Sequence, residues 1–171
     1  MTATEPAAAP MIRLLPVQVT MHKVIAALHG RCFDDAWNAY TVGQVMRMSG
    51  AFGFLAVLST AEDGTGDIPI GFALASGAAD ERELLSIGVL PDHRRAGIGR
   101  RLVEMVIAES TARGAARLFL EVAEDNTAAQ RLYRSLDFIA VGRRPGYYRR
   151  RSGPAIAALT LRRMLTDEDG D

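Results

Sequence analysis

The feature that most constrains this chain is an apolar strand that runs through a glycine-bearing turn into a long one-sided helix. Glu83 to Val89 has strand character and Pro91 breaks it. Arg94-Arg95-Ala96-Gly97-Ile98-Gly99-Arg100 then opens a helix predicted over Gly97 to Ala112, with Gly114 as its stop. Ile98, Leu102 and Val106 make one row of that helix, and Val103 and Ile107 the adjacent row, at the spacing of a helix packed on one side. A strand feeding straight into such a helix leaves the turn at the open end of a sheet, where ligands approach α/β folds. Glycines there let the backbone turn tightly and bring bare N–H groups close to a ligand. The helix start adds unpaired donors and a dipole suited to a pyrophosphate. Arg95 and Arg100 add charge at the rim. Taken alone, the turn also fits an ordinary strand-to-helix connection with solvated arginines. It is not an ATP-type loop, because Gly-Lys-Ser/Thr is absent, and it lacks the Gly-x-Gly-x-x-Gly spacing of a dinucleotide site.

The other elements follow from pattern. Ile12 to Leu15 reads as a strand ended by Pro16. Met21 to Cys32 reads as a helix with Val24, Ile25 and Leu28 on its packed side. Thr41 with Gln44 resembles a capping box for a short helix through Val45 and Met48, stopped by Gly50. Phe52 to Leu58 and Ile68 to Leu74 make a hairpin about the Ala61 to Asp67 turn. After a turn over Gly77 to Asp80 comes the Glu83 to Val89 strand. Beyond the long helix, Arg117 to Val122 is a strand and Asn126 to Leu136 a helix with Leu132, Tyr133 and Leu136 near one face. Phe138 to Val141 and Ala155 to Leu161 are late strands flanking an arginine- and tyrosine-rich excursion over Arg143 to Gly153. The order predicts an α/β (α+β) domain around a mixed sheet. The single domain is expected over 11–165, with a disordered lead over 1–10 and an acidic tail over 166–171.

Composition narrows the function. The 171 residues carry 20 basic and 20 acidic side chains, so there is no net positive field of the kind a general nucleic-acid binder needs. Nineteen of the 20 basic residues are arginine and 15 of the 20 lie from Arg94 onward, an arrangement suited to a polyanionic ligand. Cys32 is the single cysteine, which excludes an intrachain disulfide and fits a reducing compartment. No signal peptide and no apolar run of about 20 residues is present, so a cytoplasmic location without membrane contact is expected. His22, His29 and His93 have no metal-site spacing with Cys32, so no metal is expected.

Strand alternation separates Leu118, Leu120 and Val122 from Phe119 and Glu121. Glu121 is then the one charge inside a short apolar strand, where it is either paired with an arginine of the neighbouring strand or raised in pKa by burial and available as a general base. Tyr133, twelve residues later, is either core or a proton donor. An amine attacking a thioester must lose a proton while the departing thiolate gains one, so one base and one donor on opposite sides of the reacting carbon suffice.

The chain resembles the GNAT superfamily of acetyl-coenzyme A-dependent N-acetyltransferases. That family's Arg/Gln-x-x-Gly-x-Gly/Ala signature, after a strand ending in valine and an x-Pro turn, is met by Arg94-Arg95-Ala96-Gly97-Ile98-Gly99. The resemblance covers about residues 12 to 165 and implies the GNAT fold, a mixed, mostly antiparallel central sheet flanked by helices. It implies that the backbone of Ile87, Gly88 and Val89 pairs with the pantetheine arm of acetyl-CoA, and that Arg94, Arg95, Ala96, Gly97, Ile98, Gly99 and Arg100 cradle its pyrophosphate. Leu120-Glu121-Val122, Asn126 and Leu132-Tyr133 look most like the RimI-type ribosomal-protein-alanine N-acetyltransferases. By that resemblance Glu121 is the base, acting through water, Tyr133 the acid toward the coenzyme A sulfur, and Asn126 a cofactor ligand. Asn126 also suits a helix cap. Leu136-Asp137-Phe138 stands where the family has Leu-Gly-Phe, putting an aspartate where a positive φ is needed. Glu83 is a second carboxylate candidate, ranked below Glu121, and His93 reads as a surface residue.

Phe33-Asp34-Asp35-Ala36-Trp37 resembles the family's Phe-x-x-x-Trp segment, which implies that Trp37 helps form the acceptor groove; a packing anchor is the other reading. Arg143-Arg144-Pro145-Gly146-Tyr147-Tyr148 resembles its Arg-x-x-Tyr-Tyr segment, which implies that Tyr147 and Tyr148 flank the acceptor's first residue. Arg149-Arg150-Arg151 reads as a solvated hairpin tip. The family often has Asp-Ala where this chain has Ala157-Ala158. An α-amine, with a pKa of about 7.8 against about 10.4 for lysine, is more often neutral near pH 7. The expected reaction is therefore acetyl transfer to a protein's free N-terminus, the resemblance pointing to the N-terminal alanine of a small-subunit ribosomal protein, with no direct nucleic-acid binding. The alternatives are a small-molecule amine or a lysine side chain as acceptor, and a non-catalytic CoA-binding module.

Overall fold

Strands of six to eleven residues, most of them apolar, fold into one seven-stranded sheet with helices against both faces. The computed structural model describes residues 10–60 and 64–166. Apart from Pro10 and Thr166, the expected lead and tail lie outside the described residues. In chain order the elements are β1 (Met11–Pro16), α1 (His22–Cys32), α2 (Ala39–Met46), β2 (Phe52–Ser59), β3 (Ile68–Ala78), β4 (Glu81–Val89), α3 (Ile98–Ala112), β5 (Arg117–Ala123), α4 (Thr127–Ser135), β6 (Ile139–Tyr148) and β7 (Ile156–Met164). The sheet order is β1-β2-β3-β4-β5-β7-β6. Only β4 and β5 run parallel, joined by α3 as the crossover. The rest is antiparallel, so the mixed, mostly antiparallel sheet expected of the sequence is the one observed.

Two apolar layers hold the sheet. On one face Ile98, Leu102, Val103 and Val106 of α3 and Tyr133 and Leu136 of the α4 region pack on Leu84, Leu118, Leu120 and Leu161. On the other, Ile25 and Leu28 of α1 and Val42 of α2 pack on Leu55, Val57, Phe72 and Leu74. The second layer covers only the β2–β4 half. The opposite half of that face, on β5, β7 and β6, carries Phe119, Glu121 and Thr160 with no helix above it in either cluster.

Several local expectations are corrected. The cap of α2 is Asn38, whose side chain accepts a hydrogen bond from the Thr41 N–H, so the helix begins before the Thr41–Gln44 pair. Val24 faces outward at 38 % exposure, while His29 takes a buried place beside Ile25 and Leu28. β3 continues through Ser76 to Ala78, and β6 absorbs Arg143 to Tyr148, half of the expected excursion. Asp137 does adopt the positive φ (63°) that the missing glycine called for.

Candidate active site

The site begins where β4 and β5 part. Their pairing runs from Glu81↔Arg117 to Leu84↔Leu120 and stops there. β4 stays paired with β3 to Val89, with a register shift that leaves Leu85 as the extra residue between Leu74↔Ser86 and Ala75↔Leu84. Such a bulge bends its strand and sharpens the local twist. It falls at the residue where the parallel partner is lost, so the bulge accounts for the opening. Ile87 and Val89 therefore turn their backbone groups to the gap on the β5 side, while Gly88 between them faces β3, and an extended amide-bearing chain can pair with that edge as an added strand. Gly88 has no room for a side chain: a Cβ would stand 2.9 Å from the Phe72 ring and 3.0 Å from the Cys32 sulfur. Burial pushes the Cys32 thiol up, partly offset by Arg94 beside it.

The turn after β4 is shaped for an anion. Pro91–His93 makes a 3-10 turn. Arg95 (φ 64°) and Gly97 (φ 75°) then take left-handed backbone on either side of Ala96, an arrangement that gathers successive N–H groups into a concave nest. Gly97 is the N-cap of α3 and offers no side-chain cap, so the first helical N–H groups at Ile98 and Gly99 stay available. The nearest atom to a Cβ built on Gly99 is 3.9 Å away on Leu132, which leaves the helix start open. The arginines divide. Arg94 donates from Nε to the Val89 carbonyl at 2.9 Å and braces the end of β4. Arg100 is held by Glu104 (2.9 Å) and the Ser135 hydroxyl (2.9 Å), tying α3 to α4. Arg95 has no ion-pair partner among the described residues and is the cation left for a ligand.

Glu121 lies just past the fork. Register places Ser76 opposite Glu83, Glu83 opposite Phe119, and Glu121 opposite Thr160. These side chains therefore share the helix-free face and line a cleft of about 460 Å³ together with Arg144. Of the two readings of Glu121, the paired one is what the structure contains: Arg144 Nε lies 3.1 Å from Glu121 Oε1. The arginine comes from β6, one strand beyond the immediate neighbour β7. Glu121 is 13 % exposed at its side chain and Arg144 61 %, so the carboxylate is fixed and its partner is not. The Tyr147 ring lies beside this pair, its centre 5.5 Å from the Arg144 guanidinium carbon, and burial followed by the Glu121 charge raises its phenol. Tyr148 donates from its hydroxyl to the Glu121 backbone carbonyl at 3.3 Å, and its phenol is pushed up to about 12, mainly by burial. Burial and the Glu121 charge raise the Glu83 carboxyl as well, against the pull of Arg144.

Tyr133 sits in the α3–α4 core, edge-on to Phe138 at 5.7 Å. Its phenol is pushed up to about 12 by burial, with Tyr148 adding to the shift. Asn126 caps α4 by accepting from the Ala129 N–H at 3.2 Å. Its carbonyl oxygen is thereby used, and its amide N–H groups remain to donate. Trp37 stacks on His29 at 4.8 Å and donates its backbone N–H to His29 Nδ1 at 3.0 Å, so it anchors the α1–α2 connection. Arg151 reaches Asp34 of that connection at 3.9 Å, which sets the β6–β7 loop beside it across the open face. The Arg149–Arg151 tip is exposed as expected, with Arg150 paired to Asp125 at 2.5 Å, and nearby Arg143 pairs with both Glu124 oxygens (2.8 and 2.9 Å). Ala157, where the family often has Asp, supplies a backbone carbonyl that accepts from Glu124 N–H at 2.8 Å.

Three participants escaped the sequence. The Leu85 bulge has no residue signature. Arg144 was visible as a charge, but its partner was fixed by strand order. The Cys32–Gly88 contact had a signal, a glycine inside an apolar strand, which marks close approach. Among the described residues no cluster of three or more His, Cys, Asp or Glu is placed to hold a metal ion. Among the described residues no helix is long and apolar enough to cross a membrane.

A sequence profile of the acetyltransferase (GNAT) family matches residues 23–138. The [ribosomal protein bS18]-alanine N-acetyltransferase of Escherichia coli is 46 % identical over 77 residues, 45 % of this chain and 52 % of that protein. The N-alpha-acetyltransferase RimI of Mycobacterium tuberculosis is 48 % identical over 69 residues, 40 % of this chain and 42 % of that protein. The matched stretch thus spans about half the length of these curated relatives. The crystal structure of the ribosomal-protein-S18-alanine N-acetyltransferase from Escherichia coli superposes with a TM-score of 0.80 at 28 % identity, covering 94 % of this chain and 99 % of that one. Arabidopsis thaliana NAA60 in complex with acetyl-CoA shares the fold, with a TM-score of 0.77 at 21 % identity over 90 % and 98 % of the two chains.

Proposed function

This chain belongs to the acetyltransferase (GNAT) family, and from that premise we propose that it transfers an acetyl group from acetyl-CoA to the free N-terminal α-amine of a protein, the N-terminal alanine of a small-subunit ribosomal protein first among them. The observation that carries the reading is the fork between β4 and β5, with a nest of backbone N–H groups at one end and a fixed carboxylate at the other. The similarity to bS18-alanine N-acetyltransferases supports the choice of acceptor. The cytoplasm is the expected compartment.

The residues fit the cosubstrate. Ile87, Gly88 and Val89 line the open strand edge for a pantetheine chain, the Val89 carbonyl already accepting from Arg94, and Ala96 to Gly99 with Arg95 offer N–H groups and charge to the pyrophosphate. Asn126 donates from its side-chain amide. Acetyl-CoA supplies an acetyl group already activated as a thioester. Glu121 accepts the proton that the attacking amine must shed, through a water molecule, and Tyr133 holds a proton at its hydroxyl for the departing sulfur. Tyr147 and Tyr148 orient the acceptor's first residue beside Glu121, and Trp37 fixes the segment facing them. Counted from the protonated amine, nitrogen loses two protons, one through water to Glu121 and one to solvent; Tyr133 gives its proton to sulfur and regains one from solvent, so the products are the N-acetyl peptide, the free thiol of coenzyme A and one net proton.

Gly97→Val tests the cradle. A β-branched residue is a strong outlier at a φ of 75°, so the loop must re-form to accept it. Acetyl-CoA affinity is expected to fall about tenfold, since about 1.4 kcal/mol of lost backbone geometry corresponds to that factor. Calorimetric titration reads it directly, and an unchanged Kd would place the pyrophosphate elsewhere.

The acceptor is tested by free-thiol release with short peptides bearing Ala, Ser, Met or Gly N-termini and an N-blocked, lysine-containing control. Turnover restricted to free N-termini and greatest for alanine is expected. Turnover on the blocked peptide would assign a lysine acceptor, and silence throughout would point to small amines.

A further inference from the structure

We propose that Glu83, Glu121 and the face of the Tyr147 ring form a seat for a primary ammonium group, and that Arg144 fills this seat until the protonated amine of the acceptor displaces it. The proposal rests on the α-amine reading above and names a step that precedes the chemistry. It makes Arg144 a positioning residue, one that holds the cleft in order while no acceptor is present.

The charge inventory of the cleft is unbalanced. Glu81 is met by Arg117 at 3.5 Å. Arg82 is turned away, donating to the backbone carbonyls of Ala79, Glu81 and Arg113. Two carboxylates remain, Glu83 and Glu121, with one guanidinium between them. Arg144 touches Glu121 at 3.1 Å and acts on the Glu83 carboxyl as well. Glu83 itself has no hydrogen-bond partner among the described residues. Glu83 is exposed, but only 13 % of the Glu121 side chain is; a carboxylate this buried requires a cation, and among the described residues lining the cleft Arg144 is the one that meets it.

That cation is placed to leave. Its side chain is 61 % exposed, and it rises from the edge strand β6 with its guanidinium carbon 5.5 Å from the centre of the Tyr147 ring. An ion pair whose arginine is this exposed contributes little, and the arginine can swing out to solvent while Glu121 stays in place. Its neighbours Arg143 and Arg150 pair elsewhere, with Glu124 and Asp125. A guanidinium does not give up a proton near neutrality, so Arg144 in the seat is chemically inert. An ammonium in the same place sits against Glu121, the group assigned to take its proton, and against an aromatic face that favours cations.

Steady-state kinetics on an Ala-starting peptide test this with wild type, Arg144→Ala and Glu83→Gln. Arg144→Ala is expected to lower the peptide KM about fivefold, the effect falling on KM rather than kcat, and Glu83→Gln to raise it by a similar factor. Methylguanidinium at millimolar concentration is expected to inhibit Arg144→Ala competitively against the peptide and to spare the wild type, because only the variant has an empty seat. A structural role for Arg144 would create no such competition. A KM for Arg144→Ala that is unchanged or higher, or a variant indifferent to methylguanidinium, overturns the seat while leaving the acetyltransferase reading standing. A wild type silent on every α-amine peptide overturns both.

Discussion

Replacing Glu121 with glutamine is expected to lower kcat on an Ala-starting peptide by about 100-fold to 1,000-fold, with acetyl-CoA affinity within about twofold of wild type. Glutamine keeps the shape of the side chain, and the Tyr148 hydroxyl still finds the backbone carbonyl at this position, so the β5 strand and the fork above it are preserved. What disappears is the proton acceptor and the charge that holds Arg144. Losing that pair costs little stability, since Arg144 is mostly exposed. The effect therefore separates chemistry from folding. Thiol release under saturating peptide measures kcat, and calorimetry measures the acetyl-CoA Kd. A kcat within threefold of wild type would remove Glu121 as the base and return Glu83 as the leading carboxylate.

Tyr133→Phe is the second large effect, with kcat expected to fall roughly 10-fold to 100-fold. Phenylalanine retains the edge-on contact with Phe138 and the packing under α3, so the thermal midpoint should barely move. The loss is the hydroxyl proton. The folded phenol is pushed up to about 12 by burial and by Tyr148. A raised phenol pKa means that the neutral, donating form persists as pH climbs. No alkaline fall in kcat should then arise from this group below about pH 10, the ordinary tyrosine value. A full-rate Tyr133→Phe variant would mean that the thiolate leaves without a donor. That outcome is chemically feasible, because a cysteine-like thiol has a pKa of only about 8.5.

The parts of the fold that were legible are those where one residue type answers one backbone demand. Gly97 at the head of α3, Gly114 at its foot and Asp137 in place of a glycine all take the positive φ that the pattern required. The Leu118, Leu120, Val122 alternation gave the buried face of β5, and with it the side on which Glu121 stands. What stayed hidden depends on partners distant in sequence. His29 is buried because Phe72 and Trp37 meet it across the α1–α2 connection. β6 lacks alternation because both its faces are exposed, and its Arg143-Arg144-Pro145-Gly146 run reads as a loop until β7 pairs with it.

The candidate site shows the same division. Its polyanion-binding turn was readable because glycine spacing and a helix start are local. The Arg144–Glu121 pair was foreseen only as an arginine from an unnamed neighbour. The strand that supplies it, β6, lies beyond β7 because the last hairpin inserts β7 next to β5. Arg94 and Arg100 were counted as ligand cations, yet one braces Val89 and the other joins α3 to α4. Arg95 is left as the charge whose geometry favours a phosphate.

The most direct measurement uses a single peptide that begins with a free alanine and carries an internal lysine. It is incubated with enzyme and acetyl-CoA, and tandem mass spectrometry locates the acetyl group. Acetate on the alanine nitrogen, with the lysine unmodified, is the expected result. Acetate on the lysine, with the alanine amine free, would contradict an α-amine acetyltransferase.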